Sequence, residues 1–390
     1  MVLKTKVIIG ILIFVIVTGG VVAGINFFSR DTKKAHSPEV SAYVDDEIGP
    51  VYPLSGLRAD DEDATKTRPL CIKMPNDAPA RPQTGINSAD VVYETMVEGG
   101  ETRMNAIYQS NIPEEVGPVR SARLSDIWIV PQYNGMLFFS GANDQVRGEI
   151  ASHDISDMRW SFAESIYFRS DNGRGDLHNL HIRLNEAYNA AKGRDYETSS
   201  DEPNTLHFVG VNYKDSADAG DDNDDSVDAG DADDNGDSGS DSDVESDGKL
   251  EFFNNETSKG SYVQVVISHI SDIEFKWDSE KERYLKWMNG VEHKDAIDDE
   301  QINVVNVVVL WAEYIQQSKV DAAGSPTFDT NLGGTGKAAV FKNGERFDCE
   351  WKADENTPPR FYDSNGDEVL LNPGNTWIMV PPENVEITSE

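Results

Sequence analysis

The sequence predicts an α+β protein: a mixed α/β N-terminal domain and a β-rich C-terminal domain, following one N-terminal transmembrane helix. Three observations predict it. Residues 7–28 run for 22 positions without a charge, residues 52–213 mix apolar alternation with short helical periods, and the chain after Lys249 turns to strand-like patterning.

The first element is the anchor. Lys4 and Lys6 precede the uncharged run. As a helix it would be about 33 Å long, close to the roughly 30 Å bilayer core. A cleaved secretion signal is the alternative, with Val21 and Ala23 as small residues before Gly24, but its apolar region usually spans only about 7–15 residues. Arg30, Lys33 and Lys34 after the span balance the lysines before it, so charge asymmetry gives little orientation. The expected address is the cell membrane, single-pass, with the body on the extracytoplasmic side. No cysteine lies near this segment, which removes a lipid anchor on an N-terminal cysteine.

Residues 29–51 read as a polar stalk with Pro38 and Pro50, and 52–213 as the first folded unit. Residues 214–248 then read as a disordered acidic tether. Between 215 and 247 there are fifteen Asp or Glu and no Lys or Arg, too little apolar surface to offset ordering entropy. The second unit, 249–385, is β-rich. Tyr262 to Ile267 alternates, and Val304 to Trp311 is almost continuously apolar, as a strand buried on both faces would be. Asn343-Gly344 between Ala338–Phe341 and Arg346–Trp351 predicts a hairpin. Ser364-Asn365-Gly366 repeats that turn signal, and Trp377 to Val380 predicts a last strand.

Composition limits function. Asp plus Glu is 70 against 34 Lys plus Arg, a net charge of −36. That disfavours nucleic acid, where affinity comes from neutralising phosphates. Two cysteines, Cys71 and Cys349, make neither a disulfide-rich scaffold nor a four-thiolate metal site. They could bridge the two units outside the cytoplasm, or remain single buried thiols.

Three segments carry candidate chemistry. In Val91 to Gln109, Gly99-Gly100 predicts a hairpin with a two-residue loop, pairing Glu98 with Glu101 and Met96 with Arg103. Glu94 and Glu98 would then share a face with Arg103 diagonally between them, at a spacing of roughly 7–8 Å. Such a trio could hold a ligand or perform acid–base work with Glu94 or Glu98; it could equally be a structural ion network. In Gly117 to Asp126, Ser121 is expected to cap a helix whose first turn holds Arg123, with Arg120 beside it and Asp126 orienting the Arg123 guanidinium. That end would bind an anion, unless the arginines pair with local acids. In Leu177 to His181, His178 and His181 are three apart. They could share a helical face, but no HExxH pattern or third ligand accompanies them, so no metal is expected, and His178 with Asn179 remains a binding or catalytic candidate. Gly333 to Lys337 misses phosphate-loop spacing. Asp231 to Gly236 begins like a calcium loop but has Ser242 at position twelve, so weak calcium binding by the tether is the most it suggests. No cofactor is implied.

The segments RPLCIKMPNDAPARPQTGINSADVVYETMVEGGETR, GPVRSAR and HNL, then VVNVVVL, GTGKAAVFKNGERFDCEWK and LLNPGNTWIMV, resemble in order the YerB-like bacterial lipoproteins of unknown function. The resemblance implies an extracytoplasmic, membrane-tethered body in two domains and no defined activity. The chain departs from the family in lacking the lipidated cysteine, in its acidic tether, and at Phe139-Ser140-Gly141 and Leu177-His178, where members often carry a histidine and a proline respectively. The expected function is a non-enzymatic binding or scaffolding ectodomain of the cell envelope. It would recognise an anionic group of a wall component or partner protein through Arg103, Arg120, Ser121, Arg123 and Asn179. The alternative is a hydrolase of wall polymers using Glu94, Glu98 and His178.

Overall fold

The computed structural model describes residues 49–211, 257–320 and 324–390. The span 7–28, most of the stalk and the acidic tether lie outside the described residues. Among the described residues no helix is long and apolar enough to cross a membrane.

Among the described residues strands dominate, and the α-helices are short: Glu62–Thr65, Asp126–Gln132, Asp144–Ser152 and Ala187–Lys192, all in the first half. An 11-stranded mixed sheet runs through the molecule. In spatial order it contains Arg360–Tyr362, Glu345–Ala353, Gly334–Lys342, Asn306–Leu310, Thr376–Val380, Val91–Met96, Thr102–Tyr108, Leu70–Pro75, Met136–Phe138 and Ser156–Asp157, with Ser258–Lys259 added beside Glu345–Ala353. The two halves meet inside this sheet. Val91–Met96 lies parallel to Thr376–Val380, in register from Val91 opposite Thr376 to Thr95 opposite Val380. Apart from the buried Glu94, both sides of the junction are mostly apolar or β-branched, which suits strands covered on both faces.

Period-2 alternation then builds two cores, one on each face. Ile72, Val92, Met104, Val307 and Trp377 face one way. There they meet a six-stranded sheet formed largely by Tyr262–Ser268, Ser271–Asp278 and Arg283–Met288, which contributes Val265, Phe275 and Tyr284. Tyr93, Ile107, Val308 and Ile378 face the other way, against Ile129 and Val130 of the Asp126–Gln132 helix and Val146 and Ile150 of the next. Asn306–Leu310 is buried along its whole length, which is why its sequence shows no alternation.

The predicted hairpin forms at Asn343-Gly344, where φ is 55° and 74°, the left-handed pair that a two-residue turn requires; Lys342 pairs with Glu345. Gly333 to Lys337 enters the Gly334–Lys342 strand. Cys71 and Cys349 are buried free thiols. Their strands stand six places apart in the sheet, roughly 29 Å at the usual interstrand spacing, so the bridge open from sequence does not form.

Candidate functional site

The hairpin at Gly99-Gly100 differs from its expected register by one residue. Val91–Met96 and Thr102–Tyr108 pair with Met96 opposite Thr102, Thr95 opposite Arg103 and Glu94 opposite Met104. The loop is longer than two residues: Val97 N–H donates to the Glu101 carbonyl at 2.8 Å, around a 3-10 turn at Glu98–Gly100. A one-residue shift exchanges faces. Glu94 and Arg103 therefore point to opposite sides of the sheet, and the expected trio does not form.

On one side Glu94 is fully buried. Its Oε1 accepts from Asn76 Nδ2 at 2.6 Å and Thr102 Oγ1 at 2.7 Å, and its Oε2 accepts from Trp377 Nε1 at 3.0 Å. Lys286 Nζ, also fully buried, lies 3.3 Å from Oε2 and 4.9 Å from the Trp377 ring centroid. Burial pulls the Lys286 ammonium below its usual range, and Glu94 opposes that pull. This closed network joins the two halves of the chain. Glu94 has no open edge toward solvent, so the paired-glutamate arrangement is replaced by a structural junction.

On the other side the arginines converge. The segment Gly117 to Arg123 is extended, not helical, because its backbone is shared among three neighbours. Val119 N–H donates to Leu180, Arg120 N–H to Lys73 and Ala122 N–H to Gly141. The helix begins at Asp126 with Ser125 as its N-cap, so Ser121 caps nothing; its hydroxyl lies 3.4 Å from that of Ser140. Asp126 does not orient the Arg123 guanidinium. Its Oδ2 accepts the Arg123 backbone N–H at 2.7 Å, and its Oδ1 takes Lys73 Nζ at 2.7 Å and Asn105 Nδ2 at 3.0 Å. Lys73 and Asp126 form a fully buried ion pair beneath the site.

Arg123 grips Glu98 Oε2 through Nε at 2.9 Å and through its second terminal nitrogen at 2.7 Å. Arg103 donates to the Ser121 carbonyl at 2.6 Å. Burial, then the like charge of Arg123, brings the Arg103 guanidinium down to about 9. Arg120 is half-buried and donates no side-chain hydrogen bond among the described residues; its Nε is buried without a partner. Burial lowers its affinity for the proton, Asp77 and Glu101 oppose that, and Arg123 adds to it. Glu101 is half-buried and makes no ion pair among the described residues. Burial raises its carboxyl above the usual range, Asp77 adds to that, and Arg103, Arg120 and His178 oppose it.

His178 sits on the turn before Leu180–Arg183, its N–H donating to the Gly175 carbonyl. Its Nε2 is 2.5 Å from Asp77 Oδ2. His181 lies within the strand, with Nδ1 2.6 Å from Glu115, so the two histidines part company. Asn179 turns outward to Arg169, whose guanidinium donates to its Oδ1 at 2.6 Å. The structure thus gathers Glu98, Arg103, Arg120, Arg123 and His178. It removes Glu94 and Asn179 from that group and leaves Ser121 as a carbonyl acceptor for Arg103 and Arg123. It adds Asp77 and Glu101, both of which lay within the segment that carries the family resemblance. Among the described residues no three His, Cys, Asp or Glu side chains are placed to hold a metal ion.

Residues 54–197 match the family described as "Protein of unknown function (DUF3048) N-terminal domain", and residues 263–378 match its C-terminal domain. The chain is 26% identical over 333 residues to the Bacillus subtilis (strain 168) protein named "Putative lipoprotein YerB", covering 85% of this chain and 86% of that one. The crystal structure of YerB from Bacillus subtilis superposes with a TM-score of 0.67 at 24% identity, covering 87% of this chain and all of that one, which establishes a shared fold. With both domains matched in order, this chain belongs to the two-domain YerB-like family of unknown function.

Proposed function

We propose that the protein is a membrane-anchored, extracytoplasmic binding protein of the bacterial envelope that recognises an anionic group at Arg120. The named relative is described as a "Putative lipoprotein", and in this chain the apolar run 7–28 would serve as a single-pass anchor in place of a lipid. The observation that carries the binding reading is Arg120 itself. In a chain of net charge −36, three guanidiniums converge, and this one is left with a buried, unpartnered nitrogen. Arginine forks suit carboxylate and phosphate oxygens, such as those of wall peptides or of an acidic partner segment.

The test is titration of full-length protein in detergent with solubilised wall peptides. Saturable binding that weakens at least tenfold in Arg120→Gln is expected, with an unchanged unfolding temperature. Equal binding by wild type and variant would count against the site.

A hydrolase remains the second reading, and one observation favours it: His178 is held by Asp77 next to Glu101, a carboxyl raised by burial. A carboxyl and an oriented imidazole side by side are the residue types of an acid–base pair. Turnover of purified wall material that disappears in His178→Asn would move the protein to this class; no turnover is expected.

A further inference from the structure

We propose that the cluster is built for a zwitterion, with Arg120 taking the carboxylate and Glu101 the ammonium of one small ligand, an amino acid or the charged end of a short peptide. This rests on the binding reading above and narrows its ligand.

The other charges near the site are already engaged. Glu98 is held by Arg123, Asp77 by His178, and Arg103 by the Ser121 carbonyl. Apart from Arg81, a half-buried guanidinium that lies toward Asp77 and Glu94, two groups near the site remain without a partner in contact among the described residues, and they carry opposite charge: the Arg120 guanidinium and the Glu101 carboxylate. Each is half-buried, so each has lost part of its hydration without a compensating contact. They lie within electrostatic reach of each other yet make no ion pair.

The backbone explains why they stay apart. Arg120 is fixed on both sides, its N–H on the Lys73 carbonyl at 2.7 Å and its carbonyl under the Ser140 N–H at 2.9 Å. Glu101 is fixed by the hairpin, its carbonyl accepting Val97 N–H at 2.8 Å. A simple anion at Arg120 would gain the guanidinium but face Glu101 and Asp77. A ligand with an ammonium a few bonds from its carboxylate neutralises both open charges, and its ammonium offsets the repulsion that Glu101 and Asp77 exert on a bare anion. Placing repulsion where the wrong ligand would sit is how such sites discriminate.

The experiment uses the full-length chain in detergent. Glycine, β-alanine and 4-aminobutyrate are each compared with their N-acetyl forms, which keep the carboxylate and lose the ammonium. Binding is read by calorimetric titration and by the ligand-dependent rise in unfolding temperature. At least one free amino acid is expected to bind about tenfold or more tightly than its N-acetyl form. Glu101→Gln should bring that pair within about twofold, Glu101→Asp should keep part of the preference, and Arg120→Gln should abolish both. If wild type binds the N-acetyl compounds as well as the free ones, the zwitterion inference is overturned and the anion reading stands. If no compound of either series binds, both fall. The wild-type comparison decides the matter even if a variant fails to fold.

Discussion

Glu94 shows how a residue type that suggests chemistry can instead hold a molecule together. Its carboxylate accepts three hydrogen bonds and faces Lys286 from the other half of the chain. Breaking a buried pair by removing one partner strands the other charge and costs about 3–5 kcal/mol, whereas replacing both is far milder. Urea denaturation should therefore show Lys286→Met losing about that much, and Glu94→Gln with Lys286→Met recovering part of the loss. Strict additivity of the single changes would argue against coupling. His293 gives a pH prediction. It is fully buried with Nε2 2.7 Å from Gln83 Oε1, and burial, with help from Lys286 and Arg81, holds its imidazole well below the usual range. The unfolded chain takes up this proton near pH 6.5 while the folded chain does not. Stability is thus intact above that pH and falls as the pH drops below it, by up to about 1.4 kcal/mol per unit for this one group. Unfolding curves between pH 7 and 5 should show this slope, and His293→Gln should flatten it.

At the scale of elements, the Glu98–Gly100 turn decides which side chains reach the site. Gly99 and Gly100 both have positive φ, 73° and 77°, and the Gly100 carbonyl accepts from Ser268 at 2.6 Å and Ser271 at 2.9 Å. A Cβ on Gly100 would meet Ser268 Cβ at 2.9 Å. Left-handed backbone alone costs a non-glycine residue about 1–2 kcal/mol. Gly100→Ala should lower the unfolding temperature by several degrees and, because Glu98 and Glu101 flank it, weaken ligand binding as well. A variant with wild-type melting would contradict this account of the turn. The extended Gly117 to Arg123 segment matters in the same way. Its three backbone hydrogen bonds to distant segments aim Arg120 and Arg123 more firmly than the end of a short helix would.

For the molecule as a whole, the parallel pairing of Val91–Met96 with Thr376–Val380 makes the two family domains mutually dependent. Separated, each half would expose an unpaired strand edge and a sheet face that the other now covers, and bare edges invite aggregation. Fragments 49–211 and 257–390 expressed alone should be insoluble or molten, and co-expressed they should co-elute as a folded pair. A well-folded monomeric 49–211 fragment, with sharp amide dispersion, would refute this dependence.

Local pattern alone fixed much of this protein. The continuous Val304–Trp311 run, the Asn343-Gly344 turn and the Trp377–Val380 strand were legible because burial and left-handed φ constrain residue type directly. The three segments that supply Glu98, Arg103, Arg120, Arg123 and His178 stood out as candidates in the sequence, but their meeting in one place came from the sheet that joins them. What sequence could not supply was register and long-range pairing. One residue in the hairpin loop sent Glu94 to a junction with Lys286, 192 positions away, and left Glu101, not Glu94, beside the arginines. Whether the halves touch, and which charges remain open, depended on strands far apart in the chain meeting in one sheet, and local propensity carries no record of that contact.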